Sequence, residues 1–205
     1  MTENEYEKQL NIKTSGEQKI FNESLHYHRY EPTSYTALDT LCKNYEIKST
    51  DSIIDFGCGK GRLNFYLNYN FNCTVTGIEM NNYFYSECIH NKSNYIKAHK
   101  HINDKVNFLN CFAQEYEIND FDNKFYFFNP FSIQIFIKVI GNIMNSVDKY
   151  YRPVDIILFY PSEDYIYYLE NNTAFTLKYE IKLDKLYKTD NRQRFLIYRL
   201  DYFEF

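Results

Sequence analysis

The chain has 205 residues, a net charge of −4 and 44% hydrophobic residues. That length suits one globular domain around one core, and no apolar run reaches the roughly 20 residues that a bilayer-crossing helix needs, so no membrane association is expected. No block of lysines or arginines stands out either, which argues against a protein that coats nucleic acid, though not against a local basic groove.

The opening stretch, "MTENEYEKQLNIKTSGEQK", is polar and has no apolar run of the secretory type. Residues 1–25 are expected to be a frayed or surface segment ahead of a single domain over 26–205. Five cysteines (Cys42, Cys58, Cys73, Cys88, Cys111) are scattered, odd in number and without a C-x-x-C pair. This argues against a disulfide framework or a zinc site and fits a reducing cytoplasm. The abundance of Asn, Tyr, Ile, Lys and Phe, with no Trp, matches A/T-rich codons and is not read as functional.

The elements follow in order. Pro32 ends any preceding helix, and Thr33 or Ser34 caps a new one over about 34–46, where Tyr35, Leu38, Leu41 and Cys42 recur at helical spacing. "DSIIDFG" (51–57) is a short buried strand that ends on glycines. "GRLNFYLNYN" (61–70) opens a helix directly from them. "CTVTGIEM" (73–80) is a β-branched strand ending at Glu79, and residues 81–102 read as a helix. "KVNFLNCF" (105–112) and "KFYFFNPF" (124–131) are the third and fourth strands. An amphipathic helix over 132–147 carries Ile133, Phe136, Ile137 and Ile140 on one face. "VDIILFYP" (154–161) is the fifth strand, and a short helix covers about 162–170. "TAFTLKYEIKL" (173–183) and "RQRFLIYRLDYFEF" (192–205) form a terminal antiparallel pair.

Strand and helix alternate through most of the chain. That pattern predicts a Rossmann-like, doubly wound α/β fold: seven strands, mostly parallel, helices on both faces, and an antiparallel C-terminal pair. Such sheets bind ligands beyond the carboxyl ends of their strands. The first strand ends at the glycines, the second at Glu79 and the fourth at Asn129-Pro130-Phe131, so three candidate site elements share one edge.

The loop "DFGCGKGR" (55–62) places Gly57, Gly59 and Gly61 between a strand and a helix. It lacks the G-x-x-x-x-G-K-[ST] of a phosphate-gripping loop, and its third glycine comes one residue early for a dinucleotide loop. The Asp-Phe-Gly triplet has no kinase partner motifs around it. Glu79 follows Gly61 by 18 positions at the next strand's end, where an acid can accept both hydroxyls of a ribose. An adenosine without a pyrophosphate suits this unit.

"DFGCGKGR…GIEM" resembles the first two motifs of class I S-adenosylmethionine-dependent methyltransferases. The resemblance implies a methyltransferase that uses S-adenosyl-L-methionine and releases S-adenosyl-L-homocysteine. It implies that Asp55 orients the amino-acid end of the cofactor, that the backbone from Gly57 through Cys58 and Gly59 to Gly61 passes beneath the sulfonium side, and that Glu79 takes the ribose, with Met80 beside the adenine. The family's acidic residue after the third strand is missing from "NCFAQE" (110–115), so backbone at Phe112 and Ala113, helped by Gln114, takes that place. "FFNPF" (127–131) resembles the acceptor-docking motif [DNS]-P-P-[YF]. Asn129 and Pro130 match, and Phe131 stands where the second proline would be. The match permits amine or amide methylation, with the aromatic ring stacked on a planar substrate. "HRYEPTSY" (28–35) precedes the first helix, where relatives fold a segment over the cofactor. Tyr30 or Thr33 would touch its carboxylate there, and Arg29 or His28 would face the acceptor. His26, His28, Glu31 and Tyr160 are candidate bases, none of them singled out. The acceptor is unknown. The acidic balance favours a small molecule or a protein side chain over nucleic acid. An adenine or RNA methyltransferase and a non-catalytic adenosine-binding protein are the alternatives.

Overall fold

The computed structural model describes residues 1–16, 30–100 and 105–201. Among them, β1 (Ser52–Phe56), β2 (Thr74–Ile78), β3 (Val106–Leu109), β4 (Lys124–Phe127), β5 (Val154–Phe159), β6 (Thr176–Lys182) and β7 (Arg194–Leu200) form one sheet. Its order is β3-β2-β1-β4-β5-β7-β6. The first five strands run parallel, and β7 lies antiparallel between β5 and β6. The sheet is the predicted one, with each strand trimmed at its ends to the residues that pair. The strand order reverses between β1 and β4, which places a ligand-binding crevice beyond their carboxyl ends.

Alternation along the strands divides two apolar layers. Ile53, Val75, Tyr126 and Ile157 join a core under α2 (Tyr35–Asn44), α3 (Arg62–Phe71) and α4 (Asn82–Ala98). Ile54, Phe56, Phe125, Phe127 and Leu158 join the opposite core, under α5 (Ile133–Lys149) and α6 (Glu163–Asn172). Central strands covered on both faces are buried throughout and mostly apolar, as β1, β4 and β5 are. Local caps set the helix starts: Ser34 accepts from Ala37 N, and Asn81 accepts from Tyr83 N and Phe84 N. A four-residue helix, α7 (Asp184–Tyr187), lies between β6 and β7.

The start of the chain departs from expectation. Glu3–Leu10 form a helix, α1, opened by a capping box between Thr2 and Glu5. Glu7, Leu10, Ile12 and Thr14 are buried. The physical reason is a partner that periodicity does not reveal. Glu7 accepts from Thr14 N (2.9 Å), the Thr14 hydroxyl and Ser15 N (3.1 Å), and it faces Arg62 at 3.3 Å. A polar segment is thereby buried with its charges compensated. His26, His28 and Arg29 lie outside the described residues, as does the far end of the last predicted strand.

Candidate functional site

A cavity of about 320 Å³ opens at the carboxyl ends of β1, β2 and β4. Of the residues expected there, Tyr30, Thr33, Asp55, Gly57, Cys58, Gly59, Glu79, Met80, Ala113, Asn129, Pro130 and Phe131 line it. They come from five separate segments, and the strand order brings them together.

β1 delivers Asp55, which shares its face with Ile53 and stands opposite Gly77 on one side and Tyr126 on the other. Asn64 of α3, with its amide nitrogen turned toward Asp55, donates to Oδ2 at 2.9 Å and accepts from Gly77 N at 3.1 Å. Burial, reinforced by the charge of Glu79, pushes the Asp55 carboxyl up to about 8. β2 delivers Glu79 (7% exposed). Its Oε2 accepts from Gly59 N at 2.9 Å and its Oε1 from Asn81 N at 2.7 Å. These bonds favour the carboxylate, but burial outweighs them and raises the group to about 7. Two acids that ordinarily ionise near pH 4 thus titrate near neutrality in one cavity.

The glycine loop is shaped by what presses on it. Gly57 (φ 78°) receives Pro130, and a Cβ at Gly57 would stand 2.7 Å from the proline Cβ. Gly59 (φ 57°) receives the Tyr30 ring, which a Cβ there would overlap. The same ring lies 4.7 Å from Phe84 between centroids, and its hydroxyl donates to Thr14 O at 2.6 Å. Close approach and positive φ both require glycine at these two positions. Cys58 lies with its sulfur 4.0 Å from that of Cys88, and burial holds its thiol well above the ordinary range, which disfavours the thiolate that a nucleophile needs.

Four of the expected residues stand elsewhere than the cofactor or substrate role placed them. Gly61 caps α3 in a left-handed conformation and packs under Phe108 and Phe65, outside the cavity lining. Phe112 is 43% exposed and also outside it, because the chain turns outward there before the single 3₁₀ turn at Ala113–Glu115. Gln114 is outside as well, and its carbonyl accepts from Asn142 at 3.0 Å. Phe131 lines the cavity wall but is 1% exposed; its ring packs edge-on to Phe127 in the α5 core, and its carbonyl accepts from Tyr165 OH at 2.5 Å. A ring so placed does not stack on a substrate. The aromatic at the mouth is Phe128, half-buried and on the other face of the sheet.

Several lining residues had not been expected: Arg62, Tyr126, Asn81, Phe84 and Phe128. Arg62 lay within the quoted loop and was readable as a lone cation opening a helix. Tyr126 sits mid-strand, where its role depends on the register that sets its hydroxyl 2.7 Å from that of Thr33. Arg62 donates to Thr14 Oγ1 (2.7 Å), Thr33 O (3.2 Å) and Glu3 (2.5 Å), and so ties α1 and the segment before α2 to the loop. Glu31 lines the mouth, while Tyr160 stands behind Phe128, their rings 6.2 Å apart.

Comparison with known proteins agrees with this geometry. A family model described as "Methyltransferase domain" matches residues 33–179. No curated protein matches the chain in sequence. Among solved structures, the human methyltransferase 10 domain containing protein superposes with a TM-score of 0.61 at 9% identity, over 98% of this chain and 95% of that one. The N-terminal domain of human METTL16, in complex with S-adenosylhomocysteine, gives 0.56 at 12% identity, over 99% and 80%. An RNA methyltransferase from Salinibacter ruber, also in complex with S-adenosyl-L-homocysteine, gives 0.52 at 15% identity, over 82% and 92%. At these identities the structural likeness speaks to the fold, and the family match extends over well over half of the chain. The protein belongs to the methyltransferase-domain family, in its Rossmann-like, class I form.

Proposed function

We propose that the protein is an S-adenosylmethionine-dependent methyltransferase. The observation that carries this reading is the convergence of Asp55, the Gly57–Gly59 turn and Glu79 on one cavity at the switch point of the sheet. The residues present fit the cofactor's chemistry. Asp55 and Glu79 are acceptors for an ammonium and for ribose hydroxyls, and the cavity volume is at the lower end of the roughly 300–1,000 Å³ of small-ligand pockets. Met80 and Ala113 supply apolar walls for an adenine. Thr33 and Tyr126 lie on the Asp55 side, where polar donors suit a carboxylate.

Bound there, the cofactor supplies an activated methyl on a sulfonium. The protein's own task is alignment, and holding two reactants in line contributes up to about 7–11 kcal/mol. Asn129 and Pro130 close the side of the cavity next to the glycine turn, with Pro130 packed on Gly57. An acceptor entering past Asn129 would be held against the loop that carries the donor. Relatives in fold crystallised with S-adenosylhomocysteine support the choice of cofactor.

The test is calorimetric titration of S-adenosylhomocysteine and, separately, NAD into the wild-type protein. Micromolar binding of the first with none of the second is expected. Failure of the folded protein to bind S-adenosylhomocysteine would overturn the reading.

A further inference from the structure

The mouth of the cavity carries a feature that the donor site does not require. Two neighbouring parallel strands, β4 and β5, are each followed within two residues by a non-glycine residue in the left-handed region: Asn129 (φ 41°) and Tyr160 (φ 49°). Asparagine tolerates that region, but a tyrosine is disfavoured there by about 1–2 kcal/mol. The surroundings hold it in place. Tyr160 N donates to Arg194 O (3.2 Å), its hydroxyl donates to Asp190 Oδ2 (2.6 Å), and the Arg192 guanidinium lies 4.3 Å from the ring centroid. Backbone strain that the surroundings maintain marks functional sites. What it secures here is a row leading out from the cavity: Asn129 and Phe128 in the lining, then Tyr160 and Arg192 behind them.

The row continues into the β6–β7 connection. Residues 182–192 carry four cations, Lys182, Lys185, Lys188 and Arg192, against two acids, Asp184 and Asp190. All four cations are exposed, Lys182 beside Glu180 (3.4 Å) and Arg192 beside Asp190 (3.1 Å), in a chain whose net charge is −4. The acids that open α6, Glu163 and Asp164, belong to a helix fastened to the opposite face of the sheet through Tyr165. The basic stretch and the Phe128–Tyr160 pair therefore share one face and the carboxyl edge of the sheet, and Arg192 joins the two.

We propose that the methyl acceptor is a base of a single-stranded nucleic acid. This deepens the methyl-donor reading and rests on it. Half-exposed aromatic rings and an arginine plane bind unpaired bases whatever their sequence, and flanking lysines follow the phosphates. A cavity of about 320 Å³ is small for two ligands at once, so the acceptor inserts one planar group past Asn129 while the remainder stays outside. A polymer does so without needing an enclosed second pocket. As the bond from a base nitrogen to the methyl carbon forms, the methyl–sulfur bond breaks, sulfur keeps its electron pair, and the nitrogen gives up its proton to solvent.

The experiment incubates the protein with methyl-labelled S-adenosylmethionine and either a single-stranded RNA or a single-stranded DNA 15-mer of mixed sequence, with free nucleosides as a third arm. Binding of the same oligonucleotides is followed by fluorescence anisotropy across a salt series. Label is expected in an oligonucleotide and not in nucleosides, and the RNA and DNA arms identify the sugar. With three phosphate contacts the log–log salt slope is expected near about −2. Lys185→Glu/Lys188→Glu is expected to weaken oligonucleotide binding about tenfold or more and to flatten the slope, with S-adenosylhomocysteine affinity unchanged. Wild-type protein that binds S-adenosylhomocysteine but labels neither oligonucleotide overturns this inference alone, as does oligonucleotide binding indifferent to the charge reversal. Protein that does not bind S-adenosylhomocysteine overturns the donor reading and this inference with it.

Discussion

The Oε2 atom of Glu79 accepts a hydrogen bond from the backbone N–H of Gly59 at 2.9 Å. The acid that ends β2 is thus fixed by the loop that follows β1, and its other oxygen is fixed by Asn81 N. A carboxylate so held has its remaining lone pairs directed without further ordering, which is preorganisation for a ligand's hydroxyls. Glu79→Ala is expected to weaken S-adenosylhomocysteine binding at least tenfold, since hydrogen bonds to a charged group contribute about 1.5–3 kcal/mol each. It also leaves two backbone donors without their acceptor, so the melting temperature falls by several degrees. Glu79→Gln retains acceptor oxygen and falls between the two. Calorimetry that gave Glu79→Ala the wild-type affinity would remove the ribose role.

The two acids make binding depend on pH. Asp55 stands near 8 because of burial and then the Glu79 charge, and Glu79 stands near 7 because of burial. For the ligand-free protein the sign follows from linkage: a raised folded pKa means that the folded state binds protons more tightly than the unfolded one. Stability is then highest below the ordinary carboxyl range and declines as pH climbs from about 4 to about 8. Ligand groups that favour the ionised acids act the other way. Affinity for S-adenosylhomocysteine should rise with pH and level off above about 8, with protons released on binding at pH 7. Titrations at pH 7 in two buffers of different ionisation enthalpy would reveal the release, and Asp55→Asn should diminish it. Affinity flat from pH 6 to 8.5 would show that neither acid changes state on binding.

The elements that periodicity governs were readable from the sequence. Ile53 and Ile54 in a buried run, or Phe136 and Ile140 along one helix face, announce themselves by apolar spacing, and so the sheet and its ligand edge followed. Asp55, Gly57, Gly59 and Glu79 were readable because backbone freedom and an acid at a strand end carry chemistry at fixed offsets. The burial of α1 was not, because it depends on Glu7 meeting Arg62 across 55 residues. The Phe131 ring was misplaced for a similar reason: its core position is set by Phe127 and Tyr165 from other elements. Pairings between distant polar residues leave no local trace.

Gly59 and Tyr30 form a steric pair that can be tested directly. Any side chain at position 59 meets the Tyr30 ring and must also adopt φ of 57°. Gly59→Ala is expected to lower stability by about 1–3 kcal/mol, of which the backbone share persists whatever the neighbour. Tyr30→Ala alone should weaken cofactor binding by opening the wall of the cavity. In the double variant the steric share disappears, so the loss in stability should be smaller than the sum of the single losses. Strict additivity in thermal unfolding would mean that the ring does not rest on the loop in solution.

The most consequential test concerns Arg62, because the N-terminal helix reaches the cofactor loop through it. Its guanidinium serves Glu3, Glu7, Thr14 and Thr33 at once and lies 4.5 Å from the Tyr35 ring centroid. Arg62→Met leaves Glu7 buried and uncompensated, which costs about 3–5 kcal/mol, or on the order of 10 °C in melting temperature for a chain of this size. Arg62→Lys keeps the charge but not the fork, and one ammonium cannot span four acceptors in these directions, so most of the loss should remain. Adding Glu7→Gln to Arg62→Met removes the stranded charge while keeping an acceptor for Thr14 N, and should recover a substantial part. If the arm also holds Tyr30 in place through Thr14 O, deleting residues 1–16 should weaken S-adenosylhomocysteine binding about tenfold, the scale of one hydrogen bond and its packing. Full recovery of stability in the double variant, together with unchanged cofactor affinity in the deletion, would reduce the arm to a passive cover. Loss of affinity in the deletion would make the first sixteen residues a working part of the site.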